Sequence, residues 1–223
     1  MPRFIDLTLT LRPSLRGVEF SPRFNFADHG WNAQTLHLYS HCGTHMDAQT
    51  HSAAGPETID AIPIERCLGP AWVVNLEGIP PKAFITVEHL GAVAQKLASG
   101  ESLLLRTGWS RLLDQASYRD ALPRVSLDLA RWCVERQVKI LGVEPPSVAD
   151  VNNLPEVIQI HQTLLGGGVL IVEGLVNLES LTREKVFFAA LPLKPWQGDG
   201  APVRAFAIEP EPGEPANRVN PLW

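Results

Sequence analysis

Four short apolar runs constrain most of what this 223-residue chain can become: "AWVVNLEG" (71–78), "SLLLRTGW" (102–109), "VKILGVE" (138–144) and "GVLIVEGLVN" (168–177). Each is bounded by turn residues, the pattern of strands buried on both faces. Such strands need cover on two sides. The segments between them supply it: "TVEHLGAVAQKLA" (86–98) and "SLDLARWCVERQ" (126–137) have helical spacing, with Thr86 and Ser126 as N-caps. The alternation predicts an α/β fold, a mixed β-sheet with flanking helices. One domain spanning residues 1–223 is expected, long enough to bury its core without disulfides.

The remaining segments carry weaker signals. Ile5 to Leu11, "IDLTLTL", alternates with period two and reads as a strand ending at Arg12-Pro13. The stretch that follows, with Pro22, Phe24, Phe26, Gly30 and Trp31, has no steady period and reads as a long aromatic loop, a lid. "TLHLYS" (35–40) alternates again. "LLGGGV" (164–169) lacks the spacing of a dinucleotide or phosphate loop and reads as the turn before a strand at Val169. In 191–210 a turn, "GDGAP", precedes a strand, "VRAFAIE", and 211–223 looks like an extended tail able to wrap a neighbouring subunit.

Charge and cysteine usage narrow the function classes. A net charge of −5 without long runs of one sign offers no broad cationic surface, which argues against nucleic acid and anionic membrane as partners and for a small-molecule substrate. The three cysteines, Cys42, Cys67 and Cys133, form no CxxC pair, as expected of reduced thiols in a cytoplasm. The amino terminus is too polar at Asp6 for a secretory signal, and no run of eighteen apolar residues occurs. A cytoplasmic location is expected.

The chemistry concentrates in "HCGTHMDAQTH" (41–51), which holds three of the seven histidines. Imidazole nitrogen and carboxylate oxygen are the donors that zinc or manganese accepts. His41 and His45 have the i, i+4 spacing of a helical pair, but the pattern before them is extended and Gly43 lies between them. A turn at Gly43 that points His41, His45 and Asp47 at one centre is the better reading. It leaves coordination positions open, as a catalytic site requires. His29, His37 and His89 are read as unrelated surface or core residues. Glu173 ends an apolar run, where a buried carboxylate needs a cation or a histidine as partner.

The stretch "HCGTHMDAQTH" resembles the H-x-G-T-H-x-D-x-P-x-H motif of the metal-dependent cyclase-like hydrolase family, which includes bacterial kynurenine formamidases and isatin hydrolases. Every fixed position agrees except Gln49, where the family has proline. The likeness continues through "RTGW" (106–109), "LGVEPPSV" (141–148), His161 with Glu173, and "LPLK…GDGAPVRA" (191–205), though Glu144 stands where relatives commonly have aspartate. The resemblance implies a swivelling β/β/α fold and a divalent metal, Zn or Mn, as one or two ions. His41, His45 and Asp47 are implied to hold the first, with Asp47 bridging to a second held also by His161 and Glu173. It places His51 beside the metal and implies a homodimer or homotetramer. Kynurenine formamidases share a Trp-Pro-Gly-Asp segment ahead of the motif, which here reads "SLRGVEFSPRFNFADHG", so N-formylkynurenine is not singled out.

The implied reaction follows from the parts. A divalent ion lowers the pKa of a bound water from about 15.7 toward about 7 and polarises a carbonyl, which gives hydrolysis of a small amide, formamide or lactam C–N bond. His51 is the candidate catalytic residue, protonating the departing nitrogen. Phe24, Trp31 and Trp109 are candidates for lining a substrate pocket. No G-x-S-x-G elbow or Walker loop offers another mechanism. A non-catalytic metal- or ligand-binding protein of the same fold is the alternative.

Overall fold

The structure is a computed structural model that describes residues 1–210. Its strands, in chain order, are β1 (Arg3–Asp6), β2 (Val18–Phe24), β3 (Ala33–Leu38), β4 (His45–Asp47), β5 (Leu68–Asn75), β6 (Phe84–Ile85), β7 (Ser102–Arg106), β8 (Arg124–Val125), β9 (Ile140–Val143), β10 (Leu170–Glu173), β11 (Lys185–Pro192) and β12 (Gly200–Glu209). The helices are α1 (Phe26–His29), α2 (Val93–Lys96), α3 (Ser117–Asp120), α4 (Leu127–Glu135) and α5 (Leu154–Gly166). The fold is mixed α/β, with helices flanking a sheet.

The predicted buried strands are β5, β7, β9 and β10, and they run parallel side by side. Antiparallel β11 joins β5, and β12 joins β11. The other edge of β12 is divided: its first residues pair with β4 and its last with β1. Since β4 also pairs with β10, the sheet closes on itself. Closure explains the continuous apolar runs. Leu104, Ile140, Leu170 and Val172 fill the interior with Met46 and Phe188, while the alternate residues Leu103, Leu105, Leu141 and Ile171 pack outward in the same cluster as Leu129 of α4 and Leu164 of α5.

Several expectations are corrected. The first strand stops at Asp6, because Thr8 hydrogen-bonds the β12 backbone with its hydroxyl, donating to Ala205 O at 2.8 Å and accepting from Ala205 N at 2.9 Å. The aromatic loop is largely a hairpin, β2 paired with β3, so alternation broken by Pro22 and a bulge concealed a strand. The helix expected over 86–98 is two short turns broken at Gly91, whose φ is +53°. His89 has a local task there, its Nδ1 accepting from the Thr86 N–H at 3.1 Å. Helix α5 and strand β11 were not foreseen, although Asn153 caps α5 and Pro155 sits in its first turn. Strand β12 begins at Gly200 rather than Val203. The tail expected over 211–223 lies outside the described residues.

Ser126 caps α4 as predicted, accepting from the Leu129 N–H. All three cysteines are buried free thiols. Among the described residues no helix is long and apolar enough to cross a membrane.

Beyond β9, Glu144 ties two of the signature segments together. Its fully buried carboxylate accepts from the Thr107 N–H at 2.6 Å, the Thr107 hydroxyl at 2.9 Å, the Trp109 N–H at 3.2 Å and the Ser110 hydroxyl at 2.9 Å. Burial pushes its pKa up against the pull of these donors. Trp109 Nε1 donates to Tyr118 O and Tyr118 Oη donates to Glu144 O, so the α3 segment is anchored to the same point. Each buried donor left unpaired costs ~1–3 kcal/mol. Glu144→Ala is therefore expected to lower unfolding free energy by about 3–5 kcal/mol. Glu144→Gln, which keeps one acceptor oxygen and can donate to Ser110, should cost under ~1.5 kcal/mol. Equal losses for the two in denaturant unfolding would contradict the donor-clamp account.

Candidate metal centre

The site begins with the turn between β3 and β4. Gly43 adopts φ +63°, and its carbonyl lies so close to Gly174 that a Cβ there would meet it at 2.5 Å. Thr44 pins the turn, its hydroxyl donating to Gly174 O at 2.6 Å and accepting from Leu9 N at 2.8 Å. The chain then enters β4, where the two-residue strand period puts His45 and Asp47 on one side and Met46 into the interior. Antiparallel register sets Glu173 of β10 directly opposite His45. His161 comes from α5, which packs against β10 and the helical turn Gln49–Ser52.

These side chains converge. His45 Nε2 lies 3.6 Å from Asp47 Oδ1 and 3.3 Å from Glu173 Oε2. His161 Nε2 lies 3.6 Å from Asp47 Oδ2 and 3.5 Å from Glu173 Oε1. His41 Nδ1 is 2.8 Å from Asp47 Oδ1, and its Nε2 is 3.0 Å from Asp199 Oδ2. The Nδ1 atoms of His45 and His161 face carbonyl oxygens, Gly43 O at 3.1 Å and Val157 O at 2.7 Å. A carbonyl only accepts, so both Nδ1 atoms carry hydrogen and both Nε2 atoms face the carboxylates. Metal-ligating imidazoles are held this way, by a hydrogen bond at the other nitrogen.

One atom has no such partner. Asp47 Oδ2 is buried without a hydrogen bond among the described residues. An orphaned carboxylate oxygen is costly, and a cation would satisfy it. The donor set fits a borderline divalent ion: the ligand atoms of His41, His45 and Asp47 lie within 4.8 Å of one another, as do those of Asp47, His51 and His161.

The family model "Cyclase" matches residues 5–150. The chain belongs to the cyclase family. It is 32% identical to a kynurenine formamidase of Salinibacter ruber over 83% of this chain and 84% of that one, and 30% identical to one of Bordetella petrii over 80% and 81%. In structure it is similar to isatin hydrolase A from Ralstonia solanacearum, with a TM-score of 0.85, 25% identity, and coverage of 94% of this chain and 92% of that one.

This cyclase-family chain keeps the metal-type donors together but not the proposed aromatic pocket. A cavity of about 590 Å³ reaches His41, His45, His51, His161 and Glu173, and Tyr118 lies on its wall. Phe24 and Trp31 are not among its lining residues. They stack on each other at 4.5 Å on the β2–β3 hairpin, where Trp31 is 53% exposed. Trp109 is buried scaffold, holding Tyr118 in place. Gln49, the departure from the motif, does not disturb the donors. Its amide donates to Leu165 O at 3.1 Å and accepts from Glu57 N at 3.3 Å, tying its turn to the end of α5.

Sequence reasoning missed Asp199, which sits in the "GDGAP" segment read only as a turn. It is brought to His41 by β12, and its Oδ2 is also 3.7 Å from His51 Nδ1. His51 lies in the Gln49–Ser52 turn with its ring 3.9 Å from that of His41.

The electrostatics express unmet demand for positive charge. Burial opposes a charged His41, yet Asp47 and Asp199 raise its pKa to about 9. Burial likewise opposes a charged His161, and Glu173 and Asp47 raise it to about 9. Glu173 is lowered despite its burial, through His161 and His45. His51 moves the other way, lowered by burial and by its imidazole neighbours.

In metal-free protein the contribution of His41 and His161 is fully present below the ordinary pKa of 6.5 and lost as pH rises through about 9. That of Glu173 is present above 4.5 and lost on acidification. With chelator, Tm is therefore expected to fall by about 3–5 °C per pH unit for each histidine between those limits. Added zinc, displacing the protons, should flatten the fall. Thermal melts with no slope in chelator would contradict this account.

Proposed function

We propose that this chain is a metal-dependent hydrolase that cleaves the C–N bond of a small amide, formamide or lactam. The observation that carries the reading is the convergence of His45, His161, Asp47 and Glu173, with Asp47 Oδ2 unsatisfied among the described residues, beside a cavity of about 590 Å³. Similarity to proteins named kynurenine formamidase and isatin hydrolase supports the reaction class. The site would hold one divalent ion through His41, His45 and Asp47, and a second through Asp47, His161 and Glu173. Zinc and manganese both suit these donors. When bound, the metal supplies Lewis acidity toward a carbonyl and a water acidic enough to ionise near neutral pH.

The chain's own residues do the rest. The carbonyls of Gly43 and Val157 hold His45 and His161 in one tautomer, which fixes the ligand orientation. The Val148 N–H, donating to Glu173 Oε1 at 2.8 Å, locks that carboxylate. His51 has a lowered pKa and is neutral at pH 7, ready to take a proton and return it to the departing nitrogen. Asp199, beside its Nδ1, stabilises the imidazolium that forms transiently. Tyr118, Leu154 and Val157 give the cavity a partly apolar wall that limits water around a bound substrate.

Asp47→Ala is expected to abolish stoichiometric zinc or manganese uptake and, with it, hydrolysis of aryl formamides. His51→Ala should keep its metal and lose about 10²–10⁴-fold in kcat. Metal analysis and a turnover panel of formamides and lactams check both. Undiminished metal content in Asp47→Ala would defeat the reading, and metal binding without turnover of any substrate would leave a binding protein.

A further inference from the structure

We infer that His41, His51 and Asp199 form a further cation position on the outer side of the centre, which zinc fills when in excess and from which it inhibits the enzyme. The inference rests on the hydrolase reading and adds a mode of regulation to it.

The three side chains are held as a unit. Their ligand atoms lie within 4.8 Å of one another, a group distinct from the one that His41 makes with His45 and Asp47. Asp199 Oδ2 is 3.0 Å from His41 Nε2 and 3.7 Å from His51 Nδ1, and the two imidazole rings lie 3.9 Å apart. Ala48 fixes both outer partners, its N–H donating to Asp199 O at 2.9 Å and its carbonyl accepting from the His51 N–H at 3.0 Å. Gly200 lets β12 lie flat against His41, since a Cβ there would meet the ring at 2.7 Å. Two imidazoles and a carboxylate on a fixed backbone are a zinc donor set with positions left for water. Asp199 is half-exposed and both histidines line the cavity, so an ion reaches them from solvent.

The two nitrogens of His41 set the consequence. Nδ1 is turned to Asp47 at 2.8 Å and Nε2 to Asp199. A neutral imidazole offers one lone pair, so His41 serves the inner ion through Nδ1 or the outer one through Nε2, and not both. When zinc takes Nε2, the proton shared with Asp199 leaves to solvent, the remaining hydrogen sits on Nδ1 facing Asp47, and the inner ion loses a ligand. His51 is occupied at the same time and no longer carries protons. The order of filling follows charge and burial. The inner cluster holds two buried carboxylates, Asp47 and Glu173, against the single half-exposed Asp199 outside, so the inner positions fill first.

Zinc alone is the probe. Apoprotein of wild type, Asp199→Asn and His51→Gln is titrated calorimetrically, and turnover of an aryl formamide by wild type and Asp199→Asn is followed over the same zinc range, each protein normalised to its own maximum. Wild type is expected to show a weaker binding event after the tight one. Its activity should rise with zinc and then fall by about tenfold or more as that event saturates, because proton transfer by His51 is lost. Asp199→Asn removes the charge at constant shape, and should weaken the second event by about tenfold or more and flatten the falling limb. His51→Gln should weaken the same event and leave the tight one in place. A wild-type titration without the weaker event, or one that both variants leave intact, overturns the assignment. So does a fall in activity that persists in Asp199→Asn, or loss of the tight event in that variant, which would assign Asp199 to the inner ion. A weaker event lost in both variants, in a protein that turns over no amide, would refute the hydrolase reading and leave the cation position standing.

Discussion

Strand β4 is three residues long, and the architecture turns on its being shared. One edge pairs with β10 and the other with the start of β12, so the same short segment closes the sheet and builds the centre. Met46 faces the interior and contributes to its packing, while His45 and Asp47 face away toward the ligand cluster. Register with β10 then places Glu173 across from His45 without any contribution from loop geometry. A slip of one residue would bury the histidine and the aspartate in an apolar interior and turn the methionine to the cavity. Packing and chemistry therefore constrain the same register.

That arrangement concentrates cost. Two buried carboxylates and two buried imidazoles in one cluster carry a desolvation penalty of several kcal/mol per charge, recovered only through close pairing. The imidazoles recover part of it by taking protons, as the raised pKa values of His41 and His161 record. Asp47 Oδ2 has only the His161 imidazole at 3.6 Å and accepts no hydrogen bond from the described residues. A cluster built for stability alone would satisfy that oxygen with a donor. The deficit is the signature of a site whose remaining partner is a cation.

Around the cluster, the signature segments prove to be mutual supports. Glu144 gathers the donors of residues 107–110, Trp109 and Tyr118 extend the clamp to the cavity wall, and Gln49 ties the His51 turn to α5. These contacts hold loops at the ends of parallel strands, where a sheet has stopped supplying hydrogen bonds. Sequence likeness in such segments reports on scaffolding as much as on chemistry.

The four parallel strands were legible because burial on both faces leaves an unbroken apolar run, and the cap of α4 because Ser126 stands immediately before a helical period. Five histidine and carboxylate positions, 41, 45, 47, 161 and 173, were also readable, the first three from local spacing and the last two from resemblance to a family. Strand β2 was not, since Pro22 and a bulge interrupt it and most of its side chains are not buried, whereas the alternation over 35–40 did mark β3; Phe24 and Trp31, expected to line a pocket, belong to this hairpin instead. Asp199 was invisible for another reason. It lies 158 residues from His41 in sequence, and only the pairing of β12 with β4 that closes the sheet brings the two together. Local composition determines which segments are strands and which residue types can bind an ion, because those depend on neighbours a few positions away. Which charges meet depends on strand pairing across the whole chain, and that was decided only when the sheet closed.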